Sequence, residues 1–193
     1  FLDAAAAASL DGQAVTATDR IAMDGGDAGT PLAAWMAPEG ARPAPVDIRP
    51  EDGFNIIYSS GTTGTPKGIV HSHAMRWQHI QRGVPAYGPQ AVTILSTPLY
   101  SNTTMASFLP TIGSGGRVVL MKKFDAHGFL ELAARERATN TMLVPVQYRR
   151  IMALEDFGRF DLSSFVMKYC PSAPFPASLK ADVLQRWPGG LVE

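Results

Sequence analysis

Ten consecutive residues, Ser59 to Gly68, read "SSGTTGTPKG". They carry hydroxyls at Ser59, Ser60, Thr62, Thr63 and Thr65, glycines at Gly61 and Gly64, and one ammonium at Lys67. Glycine opens backbone dihedrals closed to other residues and lets the main chain come close to a ligand. Hydroxyls and amides donate hydrogen bonds, and lysine adds a mobile positive charge. That mixture suits polyphosphate, whose oxygens accept several hydrogen bonds at once. Pro66 stiffens the turn just ahead of Lys67.

Chemistry at such a loop needs elements that hold it still. "FNIIYS", from Phe54, is a short apolar strand, and Gly68 to Ser72 is a second one after the turn. "HAMRWQHIQRG" is helical and stops at Gly83. Beyond it, the strands "AVTILS", "RVVLM", "TMLVPV" and "FVMKYC" alternate with helical stretches. The helix "NTTMASFLPTIGSGG" is expected to break at Pro110 and end at its glycines. Asp125 can cap the helix that places Phe129, Leu132, Ala133 and Glu136 on one face. "QYRRIMAL" is a further helix, and in "PASLKADVLQRW" Leu179, Val183 and Trp187 are spaced four apart. The strands look apolar throughout, which suits strands covered on both faces. Strand–helix alternation predicts an α/β fold: a mostly parallel sheet with helices on both faces.

The P-loop pattern G-x-x-x-x-G-K-[ST] is not met. Counted from Gly61, Pro66 stands where the second glycine belongs, and Lys67 is followed by Gly68. The next residues read as strand, so no helix N-terminus follows to hold phosphate. Residues 59–68 instead resemble the signature loop of the adenylate-forming superfamily, [ST]-S-G-[ST]-T-G-x-P-K-G, and fill all its positions. That superfamily holds the acyl- and aryl-CoA synthetases, luciferases and peptide-synthetase adenylation domains. The resemblance implies that Ser59, Ser60, Gly61, Thr62, Thr63, Gly64 and Lys67 bind the phosphates of ATP.

Further segments resemble the family in the expected order, among them "GSGGRVVLMKKFD", Gly113 to Asp125, which is similar to its glycine turn, strand and capped helix. "STPLYSN", Ser96 to Asn102, is similar to the family's P-L-[FY]-H segment at the acyl pocket, with Ser101 where many members carry histidine. Tyr100, Ser101 and Asn102 are therefore expected to line the acid pocket. "LVPVQY", Leu143 to Tyr148, resembles the strand end that approaches the acyl group and adds Val146. "CPSAPFPASL" resembles the loop beside adenine, with Ser172, Ala173 and Pro174 keeping its core and Pro171 replacing the usual glycine. The implied fold is part of the N-terminal domain of an acyl-CoA synthetase. The implied activity is ATP-dependent: a fatty or aromatic carboxylate is activated as an acyl-adenylate and passed to CoA, with ATP, Mg²⁺ and CoA expected. The family's Y-G-x-T-E motif, its ribose-binding aspartate and its C-terminal catalytic lysine have no match in residues 1–193. By themselves these residues are expected to be a fragment without turnover, holding neither a catalytic residue nor a metal ligand. A non-catalytic nucleotide- or phosphate-binding module, and an adenylation domain with a non-CoA acceptor, stay open as alternatives.

The 193 residues are 46% apolar, as in a globular domain large enough for a core. Seventeen basic residues balance seventeen acidic ones, so no global field draws nucleic acid. No apolar run approaches the roughly 20 residues of a membrane span, and no secretory signal is read at Phe1–Leu10. A single cysteine, Cys170, allows no internal disulfide and fits a cytoplasmic setting. Residues 1–50 read as an N-terminal segment ending in the linker "PEGARPAPVDIRP", and 51–193 as the central α/β portion of an AMP-binding domain, truncated at both ends. His71 and His73 lack further ligands for zinc. His79 and His127 read as helix-surface positions, Arg149 and Arg150 as surface near the acid pocket, and Cys170 as a small buried group.

Overall fold

The alanine run near the start becomes a helix because Asp3 caps it. The Asp3 carboxylate accepts from the Ala6 amide at 2.8 Å and opens α1, Ala4–Ser9. The computed structural model describes residues 1–13, 19–59, 66–83, 86–171 and 173–193. It divides the chain into two units, Phe1–Asp47 and Ile48–Glu193. In the first, β1 (Ile21–Ala22) pairs in parallel with β2 (Thr30–Pro31), α2 spans Leu32–Trp35, and the Trp35 ring meets Phe1 edge to face.

The second unit opens with a hairpin. β3 (Gly53–Ser59) and β4 (Lys67–Ser72) pair antiparallel, in a register that sets Ser59 opposite Lys67. This pair stands apart from the parallel sheet, and most of its residues are exposed, including Ile56, Ile69 and Val70. The expectation of strands covered on both faces fails here. Residues 60–65 are too few for the crossover that parallel neighbours need, and within Ile48–Glu193 no element of the described residues covers the outer face.

α3 (His73–Gly83) follows directly. The sheet is then built by β5 (Val92–Leu95), α4 (Asn102–Gly113), β6 (Arg117–Leu120), α5 (Ala126–Glu136), β7 (Asn140–Met142), α6 (Pro145–Met152), β8 (Met167–Tyr169), α7 (Ala177–Arg186) and β9 (Gly190–Val192). All neighbours are parallel, in the order β6-β5-β7-β8-β9. The direction of winding reverses after β6, so right-handed crossovers put α4 on one face and α5–α7 on the other. Side chains agree. Thr93 bonds Thr111 of α4 at 2.7 Å, while its neighbour Ile94 packs into the cluster of Phe129, Leu130, Ala133, Tyr148, Val183 and Trp187. This is the α/β architecture with helices on both faces that the alternation predicts.

Several local expectations change. Pro110 sits inside α4 without breaking it. It falls in the last turn, where little helix remains to be disrupted. α6 begins at Pro145, because proline suits a first helical position, so Val146 is helical and not at a strand end. The interior strands are not wholly apolar. Thr93, Asn140, Thr141 and Lys168 are fully buried. Each is satisfied: Thr141 Oγ1 donates to Ile94 O, Asn140 Nδ2 to Ala86 O, and Lys168 Nζ to three carbonyls. α3 and α4 pack closely through glycine. A Cβ on Gly83 would lie 2.6 Å from Pro110 Cβ, and one on Gly113 2.9 Å from Ile80.

Cys170 is buried at the end of β8, as its sequence context implies. Burial raises its thiol from 9.0 to about 11, with the Glu193 carboxylate adding to the effect. Its proton is therefore held in the folded state over a range where the unfolded chain gives it up. That contribution to stability is complete below pH 9 and fades as pH rises towards 11. At pH 8 the folded protein is expected to leave Cys170 untouched by a disulfide-exchange reagent such as DTNB, and the denatured chain to release one equivalent of thiol per chain. Rapid reaction of the folded protein would contradict this.

Candidate nucleotide and acid site

The hairpin register sets Lys67, the first residue of β4, opposite the last residue of β3. Ser59 and Lys67 face each other at the ends of β3 and β4, and both are exposed. Ser60, Gly61, Thr62, Thr63, Gly64 and Thr65 lie outside the described residues, as does Ser172. The helix after the hairpin is not a phosphate seat. The first amides of α3 are taken: His73 N donates to Asp52 O at 3.1 Å, Ala74 N to Pro50 O at 2.8 Å, and Met75 N to Ser72 Oγ at 3.3 Å. Any phosphate grip here comes from the hairpin itself.

The other candidate segments follow the C-terminal ends of adjacent parallel strands. Residues 96–102 leave β5, residues 143–146 leave β7, and residues 170–174 leave β8. In open α/β sheets the ligand crevice forms outside the carboxyl ends of strands whose following helices go to opposite faces. β5 and β7 are such a pair, since α4 and α6 lie on opposite sides. Gln147 Nε2 bridges them by donating to Ser96 Oγ at 3.0 Å, while its Oε1 accepts from Val144 N. Tyr148 Oη donates to Tyr169 O at 3.0 Å and ties α6 to the end of β8.

Within this frame Tyr100 is 81% exposed. Ser101 is the N-cap residue of α4 but makes no side-chain cap bond. Asn102 opens α4, and its Oδ1 accepts from Arg76 Nη1 at 3.0 Å. Val146 lies exposed on the first turn of α6. Ala173 and Pro174 are exposed in the loop after β8. That loop is tethered: Phe175 N donates to Glu193 Oε1 at 3.2 Å, and the other Glu193 oxygen pairs with Lys180.

The hairpin and the β5 end are joined by a residue that sequence reasoning passed over. Arg76 is only 2% exposed; its Nε donates to Asn55 Oδ1 on β3 at 3.1 Å while Nη1 reaches Asn102. His79 Nδ1 lies 3.4 Å from the same Nη1. His79 is thus half-buried against Arg76 and not a surface position; burial, then the Arg76 charge, lowers its pKa. His71 is lowered for the same two reasons. Gln147, Ser96 and Glu193 were also missed. Only Arg76 gave a readable sign, being a cation at the position one turn after the strand end, on the side where α3 must pack. Among the described residues no group of three or more His, Cys, Asp or Glu side chains could hold a metal ion. No helix among them is long and apolar enough to cross a membrane.

Comparison with known proteins supports the same frame. A family model described as AMP-binding enzyme matches residues 2–193. A feruloyl-CoA synthase from Amycolatopsis sp is 31% identical over 147 residues, covering 75% of this chain and 30% of that protein. The amide bond synthetase McbA from Marinactinospora thermotolerans superimposes with a TM-score of 0.84 at 31% identity, over 97% of this chain and 37% of that one. The N-terminal domain of FACL13 from Mycobacterium tuberculosis shares the fold, with a TM-score of 0.80 at 23% identity over 94% of this chain and 46% of that one. The chain thus spans under a third of the length of its curated CoA-synthase relative. With a signature loop filled at every position and a family model matched from residue 2 to residue 193, the chain belongs to the AMP-binding enzymes of the adenylate-forming superfamily.

Proposed function

We propose that the protein carrying this chain is an ATP-dependent acid–CoA ligase of the cytoplasm. It joins a carboxylic acid to AMP with release of pyrophosphate, then passes the acyl group to the CoA thiol. The observation that carries this reading is the hairpin: Lys67 stands opposite Ser59 at the mouth of a turn whose composition matches the family loop throughout. In this reading Ser59, Ser60, Gly61, Thr62, Thr63, Gly64 and Lys67 hold the phosphates. Charge builds on the leaving pyrophosphate as the acid attacks, and donors already in place stabilise it without reorganising. Ser172, Ala173 and Pro174 flank the adenine. Tyr100, Ser101, Asn102 and Val146 border the acid at the β5–β7 crevice. The described residues offer no carboxylate set for Mg²⁺, so no step is assigned to a metal ligand of this chain.

The feruloyl-CoA relative favours CoA as acceptor. The likeness to an amide bond synthetase favours an amine as the second reading. The full-length protein, given ATP and a panel of aromatic and fatty acids, is expected to release pyrophosphate only when acid is present. Thioester formation with CoA then separates the two acceptors, and acid-independent ATP hydrolysis with no acyl-adenylate would sink both.

A further inference from the structure

Among the described residues Arg76 is a buried cation without a counter-ion. Its Nε and Nη1 are used on the neutral acceptors Asn55 and Asn102 and on the His79 ring, while Nη2 is buried with no partner among them. No ion pair to it exists among the described residues, and its neighbours His71 and His79 are held towards the neutral imidazole by burial and by the Arg76 charge itself. His71 Nδ1 is a second buried atom without a partner. Leaving charged donors unpaired away from water is costly, and a buried charge is ordinarily matched by an opposite one.

Through His79 the cluster borders a space. Arg76, His79 and Gly83 lie along one face of α3 at helical spacing, and Asn102, Ala106 and Pro110 lie four apart along α4. Between the two helices is a cavity of about 210 Å³, lined by His79, Arg82, Tyr87, Ala106, Pro110 and Tyr169. The Tyr87 and Tyr169 rings stack with centroids 5.9 Å apart. Asn102, the partner of Arg76, is exposed, so the cluster reaches the surface at the point where the acid segment ends and α4 begins.

We propose that Arg76, aimed by Asn55 and Asn102 and flanked by His79, is the seat of a carboxylate on the substrate distinct from the one that is activated. The substrate class is then a dicarboxylic acid, with an aromatic or short aliphatic body against the tyrosine-lined cavity. This rests on the acid-activating function proposed above and narrows it. An arginine without a salt bridge in the free protein gains a charge-assisted hydrogen bond when such an acid enters. A monoacid of equal shape leaves the same donor unpaired, which is the strongest form of discrimination a polar site offers.

The test uses the full-length protein and two matched pairs, terephthalate against 4-methylbenzoate and adipate against hexanoate. Calorimetric binding is expected for one diacid at least tenfold tighter than for its partner, and Arg76→Met is expected to abolish that preference. Pyrophosphate release should follow the same order. If Arg76→Met does not fold, the wild-type protein still answers: the His79 ring resonances should move with the diacid and stay put with the monoacid. A diacid preference that survives Arg76→Met, or no preference in the wild type, overturns the proposal. So does the outcome in which Arg76→Met loses thermal stability while neither diacid binds the wild type, since an acidic side chain of the protein then fills the seat. Arg76-dependent diacid binding without any acid-dependent pyrophosphate release would instead keep the site and defeat the ligase reading.

Discussion

Lys67→Ala in the full-length protein is expected to lower kcat/KM for acid-dependent pyrophosphate release by about 10²–10³-fold. The magnitude is that of removing one preorganised donor from developing negative charge, about 3–4 kcal/mol of transition-state stabilisation. Lys67 is exposed on the first residue of β4 and pairs across the hairpin with Ser59. Its side chain makes no described bond that the fold would miss, so the thermal midpoint should move little, as for ordinary surface positions. Lys67→Arg should recover only part of the loss, since a planar guanidinium does not replace a compact ammonium at the end of a flexible stem. Pyrophosphate release kinetics beside a melting curve decide the matter. A loss below about tenfold, at unchanged stability, would remove the hairpin from the chemistry.

That prediction draws on the part of the molecule most open to reading from sequence. The hairpin ends, the span of α3 to Gly83, the Asp125 cap that accepts from Gly128 N, and the buried stripe of α7 all rest on local rules. Side chains within one turn of each other settle them. What stayed hidden depends on partners far along the chain. β9 is three residues long and begins with glycine, so nothing local marks it as a strand; it forms because β8 offers an open parallel edge. The antiparallel hairpin and the parallel sheet contain similar apolar runs, and only their connections tell them apart. Arg76 reads as polar helix surface until β3 and α4 supply Asn55 and Asn102. Ser96 and Gln147 are 51 positions apart, and their bond exists only because β5 and β7 are neighbours.

Lys168 shows how such a hidden interaction is held. It occupies a strand position that invites an apolar residue, yet its ammonium donates to the carbonyls of Trp187, Pro188 and Gly189. These are the open acceptors just past the end of α7, where the helix dipole favours a cation. Burial lowers the lysine pKa to about 8, and the bonded carbonyls are what keep a charge there tolerable. The same contact fixes the chain that turns into β9, whose next residue, Glu193, tethers the loop after β8. Core packing, helix end and candidate adenine loop are thus connected through a few residues around Trp187.

Trp187→Ala is accordingly expected to give the largest loss of stability in the chain, about 3–5 kcal/mol by the scale of buried aromatic truncations. Trp187 is 1% exposed and touches the rings of Phe129, Tyr148, Phe157 and Phe165, with centroids from 5.1 to 6.0 Å away. Lys168 Nζ lies 5.7 Å from its ring centre. These neighbours come from α5, α6 and the segment before β8, so collapse around the hole would have to shift several elements at once. Trp187→Phe separates packing from polarity. The indole Nε1 is buried without a partner among the described residues, so losing its N–H forfeits no described bond and relieves a desolvation cost. Phenylalanine should therefore cost less than half as much as alanine, in urea titrations read at equal slope. If the two variants proved equally unstable, the indole would be acting through its N–H and not its bulk, and the account of this core as a ring-packed hub would fail.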